Sequence, residues 1–287
     1  MAMPLKSADE TAQRLWDEDV KPWQTYWAPI FSRFADDLVT SARIADGQVV
    51  LDVGTGTGTA AIKAAKSLVR HGFVFAIDRS LPILSVAKSY CSKNGPLNVR
   101  FLVMDARKMQ FPDGLFDHVI SNCGTSFRAF DEMAVELSRV LRRGGSLAYN
   151  NWHLKDVPAH RLVGEVLQKH RTKKPSSKLR AQRLAMATLE RHGNWDMDLE
   201  AQVRDLRRAG FNVTRTWRKS YRISLGDVDD FLKMRFSMAM LRQELLELRQ
   251  RQRTELYKDL RQELREFMRK DSFTFEWKIN FVQAVKR

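Results

Sequence analysis

The sequence lacks the features that mark several classes of protein. Its 287 residues include two cysteines, Cys91 and Cys123, which are too few for a disulfide framework and do not have the spacing of a metal site. No apolar run approaches the roughly 20 residues that cross a bilayer, and the N-terminus has no apolar segment typical of a signal peptide. We therefore expect a cytoplasmic protein with no bound metal and no transmembrane segment.

Acidic residues are scarce relative to basic ones. The chain has 34 Asp and Glu against 49 Lys and Arg, which gives a net charge of +15. The net charge is −3 over residues 1–46, +5 over 47–156, +10 over 157–222 and +3 over 223–287. The basic stretch 157–222 favours an anionic partner, which can be a small molecule, a nucleic acid or the surface of a membrane touched peripherally. Solvated helix faces explain the same charge, and the absence of an aromatic RNA-binding motif makes nucleic acid the less favoured partner.

Short branched apolar runs alternate with helical patterns in the first half of the chain. The runs "QVVLDV", "FVFAID", "VRFLVMD", "FDHVISN" and "SLAYNNW" read as strands. The segments "TAAIKAAKSLVRHG", "LPILSVAKSYCSKNG" and "DEMAVELSRVLRRGG" read as helices between them. Strict alternation predicts a parallel sheet covered on both faces, which is the doubly wound, Rossmann-like α/β class.

The pattern changes after residue 157. Helices are followed by a strand in "NVTRTWRKSYRIS", a charged helical segment over residues 228–270, and a closing strand in "FTFEWKINFVQAVKR". Leucines at three- and four-residue steps in the charged segment predict a helix that packs on its own domain, with a coiled coil as the alternative. We predict three regions: a helical lid at 1–46, a cofactor-binding core at 47–156, and the rest of the sheet with a basic helical substrate cap at 157–287.

The stretch "VVLDVGTGTGTAA" at positions 49–61 is a candidate nucleotide-binding loop. It follows a strand and opens a helix, so backbone N–H groups and the helix dipole face a ligand there. It lacks the Gly-x-Gly-x-x-Gly spacing of a dinucleotide site and the Gly-Lys-Ser/Thr of a P-loop. Asp52 directly before the loop would repel a pyrophosphate and would suit a ligand that carries an amine.

Two further acidic residues end the next two predicted strands. Asp78 can accept hydrogen bonds from ribose hydroxyls, and Asp105 can accept from the amino group of an adenine. S-adenosylmethionine has a ribose, an adenine, a cationic sulfonium and an ammonium group, and it has no phosphate. These residues therefore fit S-adenosylmethionine.

Four motifs in order resemble class I S-adenosylmethionine-dependent methyltransferases. They are "VVLDVGTGTGTAA", "FAIDRS", "VMDARKMQFPDGLFDHVISN" and "ELSRVLRRGGSLAY". The resemblance covers roughly residues 20 to 155, and the branch it is most similar to is the small-molecule group that includes the ubiquinone/menaquinone C-methyltransferases. It implies a seven-stranded, mostly parallel sheet whose last strand is antiparallel, with S-adenosylmethionine as the cofactor.

The resemblance also implies residue roles. Asp52, Gly54, Thr55, Gly56 and Gly58 would shape the methionine pocket. Asp78 would bind the ribose, Asp105 and the Ala106 amide would meet the adenine, and Asn122 would line the methyl-donor site. The family usually has an apolar residue after the second acid to pack on adenine. This chain has Arg79 there, whose aliphatic stem can take the same place.

Methyl transfer needs alignment and the exclusion of water more than it needs a catalytic dyad. Tyr26, in the aromatic-rich segment before the first strand, is a candidate to face the sulfonium from a lid. His153 follows the fifth predicted strand and is a candidate base. The predicted function is methyl transfer to a small organic acceptor that is anionic or lipid-like. The alternatives are an RNA methyltransferase and a non-catalytic scaffold that keeps the cofactor fold.

Overall fold

The computed structural model describes residues 3–68, 71–124, 130–152, 157–192 and 198–287. His153 lies outside these residues, so its candidate role stays a prediction. Within the described residues the chain forms one eight-stranded sheet and a set of helices. None of the helices described here combines the length and the apolar character that a membrane span requires.

All strands but one appear where the apolar runs predict them, and the exception is a two-residue strand within the segment predicted to be helical. They are β1 (Val49–Val53), β2 (Phe73–Asp78), β3 (Val99–Val103), β4 (Phe116–Asn122), β5 (Leu141–Trp152), β6 (Phe211–Leu225), β7 (Met268–Arg269) and β8 (Ser272–Lys286). The order in the sheet is β3-β2-β1-β4-β5-β8-β6, and the two-residue β7 pairs with β8.

The first five strands run parallel to one another, and β8 lies antiparallel to β5. Side-chain hydrogen bonds show that β6 is antiparallel to β8. Thr214 Oγ1 donates to the Gln283 carbonyl, while Arg218 Nε donates to Asn280 Oδ1, so the partner number falls as the β6 number rises. The predicted Rossmann-like sheet with antiparallel last strand is confirmed, with β7 as a short addition.

The helices fill the connections between the strands. They are α1 (Leu5–Glu18), α2 (Val20–Pro22), α3 (Ala28–Ala42), α4 (Thr59–Ser67), α5 (Leu81–Asn94), α6 (Phe130–Val140), α7 (Pro158–His170), α8 (Ser177–His192), α9 (Leu199–Arg208), α10 (Val228–Ser237), α11 (Ala239–Leu246) and α12 (Gln250–Glu263). A π-helix spans Trp23–Trp27 and a 3₁₀ helix spans Leu264–Phe267.

The chain divides into two compact units. The sheet unit comprises Ala28–Trp152, Gly193–Lys219 and Ile279–Arg287, and the helix-rich unit comprises Met1–Trp27, His153–His192 and Ser220–Lys278. In the sheet unit, α3 packs on α4, β4 and β5, while α6 packs on α9 and β5. The predicted functional regions divide the chain at residues 46 and 156 instead, and that division stays a prediction.

One predicted helix differs from the structure. The helix in "DEMAVELSRVLRRGG" ends at Val140 instead of continuing to the paired glycines, because Leu141 pairs with Phe116 on β4 and Arg142 Nε donates to Asp117 Oδ1 over 2.6 Å. The charged segment 228–270, predicted to be helical, forms the three helices α10, α11 and α12. Its apolar stripe is still used within the helix-rich unit, since Leu256, Leu260 and Leu264 are buried.

Candidate cofactor site

The glycine-rich loop follows β1 at the carboxyl edge of the sheet. Gly54, Gly56 and Gly58 have φ angles of 65°, 55° and 83°, which is the left-handed region that favours glycine. The Thr55 amide donates to the Ile77 carbonyl over 3.0 Å. The Gly56 amide donates to Asp78 Oδ2 over 2.9 Å. The loop is therefore fastened to the end of β2, which brings together two of the predicted site motifs.

A glycine is required at position 54 because a side chain would have no room there and because the φ angle is positive. A Cβ atom at Gly54 would lie 2.6 Å from the Cα atom of Gly124, and a Cβ atom at Gly124 would overlap the Val53 carbonyl oxygen. The two backbones thus meet where β1 and β4 end. Gly124, at the end of "SNCG", was not predicted as a site residue, because nothing in the local sequence indicates which segment it approaches.

Asp78 accepts a backbone hydrogen bond on each of its two carboxylate oxygens. Its Oδ1 accepts from the Ser80 amide and its Oδ2 accepts from the Gly56 amide, each over 2.9 Å. Burial raises the pKa of Asp78 above its ordinary value, and the backbone hydrogen bonds from Ser80 and Gly56 oppose that rise. Each carboxylate oxygen can accept a further hydrogen bond, so Asp78 can bind a ligand while it holds the loop.

Asp105, at the end of the segment after β3, is paired with two arginines. Arg107 binds both carboxylate oxygens, with its Nη2 atom 2.5 Å from Oδ2, and Arg79 Nε lies 3.6 Å from Oδ2. Burial by itself would raise the pKa of Asp105, but the hydrogen bonds and charge of Arg107 hold it below its ordinary value. The structure thus brings Arg79 to the acid beside the predicted adenine position, and it adds Arg107, which the sequence analysis missed. Ala106 packs against the core of the sheet unit.

Asn122 ends β4 inside a network of buried hydrogen bonds. Its Nδ2 donates to the Phe31 carbonyl over 3.2 Å, and its Oδ1 accepts from Asn150 Nδ2 over 2.9 Å. Asn150 Oδ1 in turn accepts from the amide of Cys123 over 2.9 Å and from its thiol over 3.1 Å. Asn150 was missed in the sequence, where a polar pair in the apolar strand "YNNW" was the available signal.

Cys123 has an unusual backbone at this edge of the sheet. Its φ angle is 58°, which is strained for a residue with a Cβ atom. The contacts to Asn150 hold it there. Burial raises the pKa of the Cys123 thiol well above its ordinary value, so the thiol is protonated at neutral pH and is not a nucleophile.

Asp52 lies beneath the loop with no exposed surface. Its Oδ2 accepts from Thr55 Oγ1 over 2.6 Å, and Oδ1 makes no well-formed hydrogen bond with any described residue. Burial raises the pKa of Asp52 to about 7, against the lowering effects of the Thr55 hydroxyl and, less strongly, the nearby Ala61 amide. Asp52 therefore supports the loop through Thr55, and its part in shaping the methionine pocket stays a prediction.

We expect Asp52 to make stability fall as the pH rises from 5 to 8. The folded protein holds the Asp52 proton up to about pH 7, whereas the unfolded chain releases it near pH 4, so the free energy of unfolding decreases across this range. Asp52 should lower the free energy of unfolding by on the order of 2 kcal/mol between pH 5 and pH 8, and the Asp52→Asn variant should not show this decrease. Urea denaturation of both proteins at pH 5 and pH 8 measures the difference.

The control for this experiment is Asp36→Asn, which changes an exposed carboxylate of the same unit. Its pH dependence should match that of the wild type within about 0.5 kcal/mol. If Asp52→Asn has the same pH dependence as the wild type, Asp52 is already ionised in the folded protein at pH 5 and our account of its burial is wrong.

Tyr26 belongs to the helix-rich unit. It lies in the π-helix Trp23–Trp27, and 37% of its surface is exposed. Trp27, the next residue, is buried within that unit. The predicted contact of Tyr26 with a sulfonium stays a prediction.

Comparisons with known proteins show that the middle of the chain is similar to methyltransferases. A family model described as "Methyltransferase domain" matches residues 50–145. The demethylmenaquinone methyltransferase of Thermus thermophilus is 38% identical over 99 residues, which are 34% of this chain and 44% of that protein. This chain therefore spans less than half of that relative's length. The part matched by the family model contains the glycine-rich loop, Asp78 and Asp105.

Two solved structures share the fold over most of the chain. The YcgJ protein from Bacillus subtilis has a TM-score of 0.58 at 15% identity and covers 89% of this chain and 98% of its own. Phosphoethanolamine N-methyltransferase 2 of Haemonchus contortus, in complex with S-adenosyl-L-methionine, has a TM-score of 0.51 at 19% identity and covers 88% of this chain and 52% of its own. At these identities the likeness concerns the fold.

Proposed function

We propose that this chain, whose residues 50–145 form a class I S-adenosylmethionine-dependent methyltransferase domain, transfers a methyl group to a small organic acceptor. S-adenosylmethionine is the cofactor. The observation that carries the proposal is the 2.9 Å hydrogen bond from the Gly56 amide to Asp78 Oδ2. It joins a loop of three glycines with left-handed φ angles to a carboxylate that can accept further hydrogen bonds. This arrangement suits a ligand that has a ribose and an amino-acid tail and no phosphate.

Each residue has a proposed part in holding the donor. Asp78 accepts from the ribose hydroxyls while it keeps Gly56 and Ser80 in place. The Ala106 amide meets the adenine ring. Asp105, whose two oxygens also accept from Arg107, accepts from the adenine amino group. Asn122, fixed by Phe31 and Asn150, lines the edge of the site.

The bound donor supplies an electrophilic methyl carbon on a positively charged sulfonium. The contribution of the chain is to align the acceptor with that carbon and to exclude water. A base is needed only if the acceptor atom carries a proton at the working pH, and His153 remains our candidate for it. The protonated Cys123 thiol takes no part as a nucleophile.

The small organic acceptor is supported by two observations. The matched relative from Thermus thermophilus is named for a quinone precursor, and residues 157–222 carry a net charge of +10 that suits an anionic or lipid-like acceptor. The same charge favours RNA as the second candidate, because Lys and Arg neutralise phosphates without base contacts.

Incubation with methyl-labelled S-adenosylmethionine and separate pools of RNA, lipid extract and quinone-like phenols tests the proposal. We expect label in the lipid or phenol pool, none with the Gly56→Arg variant, and little effect of ribonuclease treatment. Label in the RNA pool alone would replace our acceptor class with RNA. Donor binding without label in any pool would favour the non-catalytic scaffold.

A further inference from the structure

Strands β6 and β8 have a polar face within the helix-rich unit. In the segments "SYRIS" at 220–224 and "SFTFEWK" at 272–278, successive side chains alternate between two faces, as they do in any strand. One face is apolar and buried, with Tyr221, Ile223, Phe273, Phe275 and Trp277 each at most 4% exposed. The polar residues between them lie on the other face; they are Ser220, Arg222, Ser224, Thr274, Glu276 and Lys278.

Side-chain hydrogen bonds join the polar residues of the two strands. Ser224 Oγ and Thr274 Oγ1 lie 3.1 Å apart, and Ser220 Oγ donates to Glu276 Oε2 over 3.1 Å. Both contacts cross from β6 to β8, which requires that the two sets of side chains lie on the same face. The hydroxyls and the charges of the two strands therefore form one surface.

A pocket with a volume of about 800 Å³ opens on this surface. Its lining combines polar side chains of β6 and β8 with Pro158 of α7, Phe267 of the 3₁₀ helix, Arg269 of β7 and Phe275. All of the lining residues belong to the helix-rich unit. The pocket therefore lies within one unit of the chain.

Backbone carbonyls hold the Arg269 side chain in place. Its Nη1 donates to the Glu266 carbonyl over 2.6 Å and to the Met268 carbonyl over 3.0 Å. These bonds use the N–H groups of Nη1, and a guanidinium has further N–H groups on Nε and Nη2. A guanidinium that is already fixed can bind two oxygens of an anion at a smaller cost in conformational entropy.

The lining of the pocket has an excess of positive charge. Three basic side chains, Arg222, Arg269 and Lys278, face one acidic side chain, Glu276. A phosphate monoester has three acceptor oxygens and a charge of about −1.5 to −2 at pH 7, which matches this excess. A carboxylate has two oxygens and a single charge, so it would leave part of the excess unbalanced. The two hydroxyls of the lining can donate to phosphoryl oxygens as well.

We propose that this pocket binds the phosphoryl group of an organic phosphate monoester. Arg222, Arg269 and Lys278 contact the phosphoryl oxygens, while Phe267 and Pro158 pack against the organic part. The site goes beyond the proposed methyl transfer, because it belongs to the helix-rich unit alone and needs no methyl donor.

Isothermal titration calorimetry with phenyl phosphate tests the site. We expect a dissociation constant below about 1 mM, and binding at least tenfold tighter than that of benzoate or phenol, which lack the phosphoryl group. Arg269→Gln should weaken the binding of phenyl phosphate at least tenfold, because it removes a pair of N–H donors. Since Arg269 also bonds to the backbone, Lys278→Gln is a second variant. Lys278 is exposed, and its replacement should weaken binding at least fivefold.

Two further variants separate contact with the ligand from a general effect of charge. Arg265→Gln is the matched control, because it removes one positive charge from an exposed side chain of the 3₁₀ helix outside the lining of the pocket. It should bind phenyl phosphate within twofold of the wild type. Glu276→Gln removes the negative charge of the lining and should bind phenyl phosphate at least threefold more tightly. A purely structural role of these side chains would not produce a gain in affinity.

Competition identifies the source of the phosphoryl group. Vesicles of equal parts phosphatidylcholine and phosphatidate should displace phenyl phosphate if the ligand is a lipid headgroup, and should leave it bound if the ligand is a soluble ester. Either result supports the phosphoryl site and assigns its source.

No binding of phenyl phosphate up to about 10 mM would overturn the proposal. Tighter binding of benzoate, unchanged binding by both Arg269→Gln and Lys278→Gln, or equal weakening by Arg265→Gln and Arg269→Gln would overturn it as well. This site and the proposed function can fail separately. Gly56→Arg should lose S-adenosylmethionine binding and keep phenyl phosphate binding. If phenyl phosphate binds and the labelled-donor experiment yields no methylated small molecule, the site stands and the proposed function is wrong.

Discussion

Gly56→Arg should weaken S-adenosylmethionine binding at least 100-fold, a loss of about 2.7 kcal/mol or more. The Gly56 amide is bonded to Asp78 Oδ2, and the φ angle of 55° leaves little freedom for a residue with a Cβ atom. An arginine there disturbs the glycine-rich loop that we propose binds S-adenosylmethionine. It also adds a positive charge beside a ligand that is itself cationic. Calorimetric titration with the donor measures the affinity.

Gly47→Arg is the matched control for this prediction. Gly47 also has a positive φ angle, 84°, and a Cβ atom built on it meets nothing within 4 Å. Both variants carry the same backbone strain, about 1–2 kcal/mol, so a general loss of stability would affect both. We expect Gly47→Arg to bind the donor within threefold of the wild type. If Gly56→Arg does so too, our assignment of the loop is wrong.

Asn150→Ala should destabilise the protein by about 2–4 kcal/mol. The Asn150 side chain is fully buried and connects Asn122, the Cys123 thiol and the Phe34 carbonyl. Removing it leaves Asn122 Oδ1 without its donor and opens a small cavity. It also removes a contact that holds the strained Cys123 backbone at the end of β4. Urea denaturation measures the loss of stability.

Asn212→Ala is the control for that experiment, because Asn212 is an exposed residue of β6 in the same unit. Its effect should stay within about 0.5 kcal/mol. We also expect Asn150→Ala to bind the donor more weakly at a temperature where it is still folded, since Asn122 loses its orientation. Unchanged stability of Asn150→Ala would show that the network is not needed to hold the end of β4.

The site residues that could be predicted from the sequence are those at the ends of strands. Asp78 and Asp105 stand out because each follows a short apolar run, and parallel strands bring such residues to one edge of a sheet. The glycine loop stands out because local backbone strain limits which residues can adopt left-handed angles. The ends of α6 and the division of the charged segment into three helices were not predictable in this way, because pairing with β4 and packing within the helix-rich unit decided them.

The sequence by itself determined the fold class and the positions of the cofactor motifs, since strand and helix periodicity and turn chemistry act between residues that are close in the chain. Only the tertiary structure decided that Gly124 lies against Gly54, that Asn150 fixes Asn122, and that Asp105 is bound by Arg107 at the predicted adenine position. It also decided that Asp52 lies beneath the loop with no exposed surface and that the guanidinium of Arg235 lies over the ring of Trp27. These outcomes depend on which distant segments pack together. Burial then sets the protonation state of each group and the atoms that it can contact.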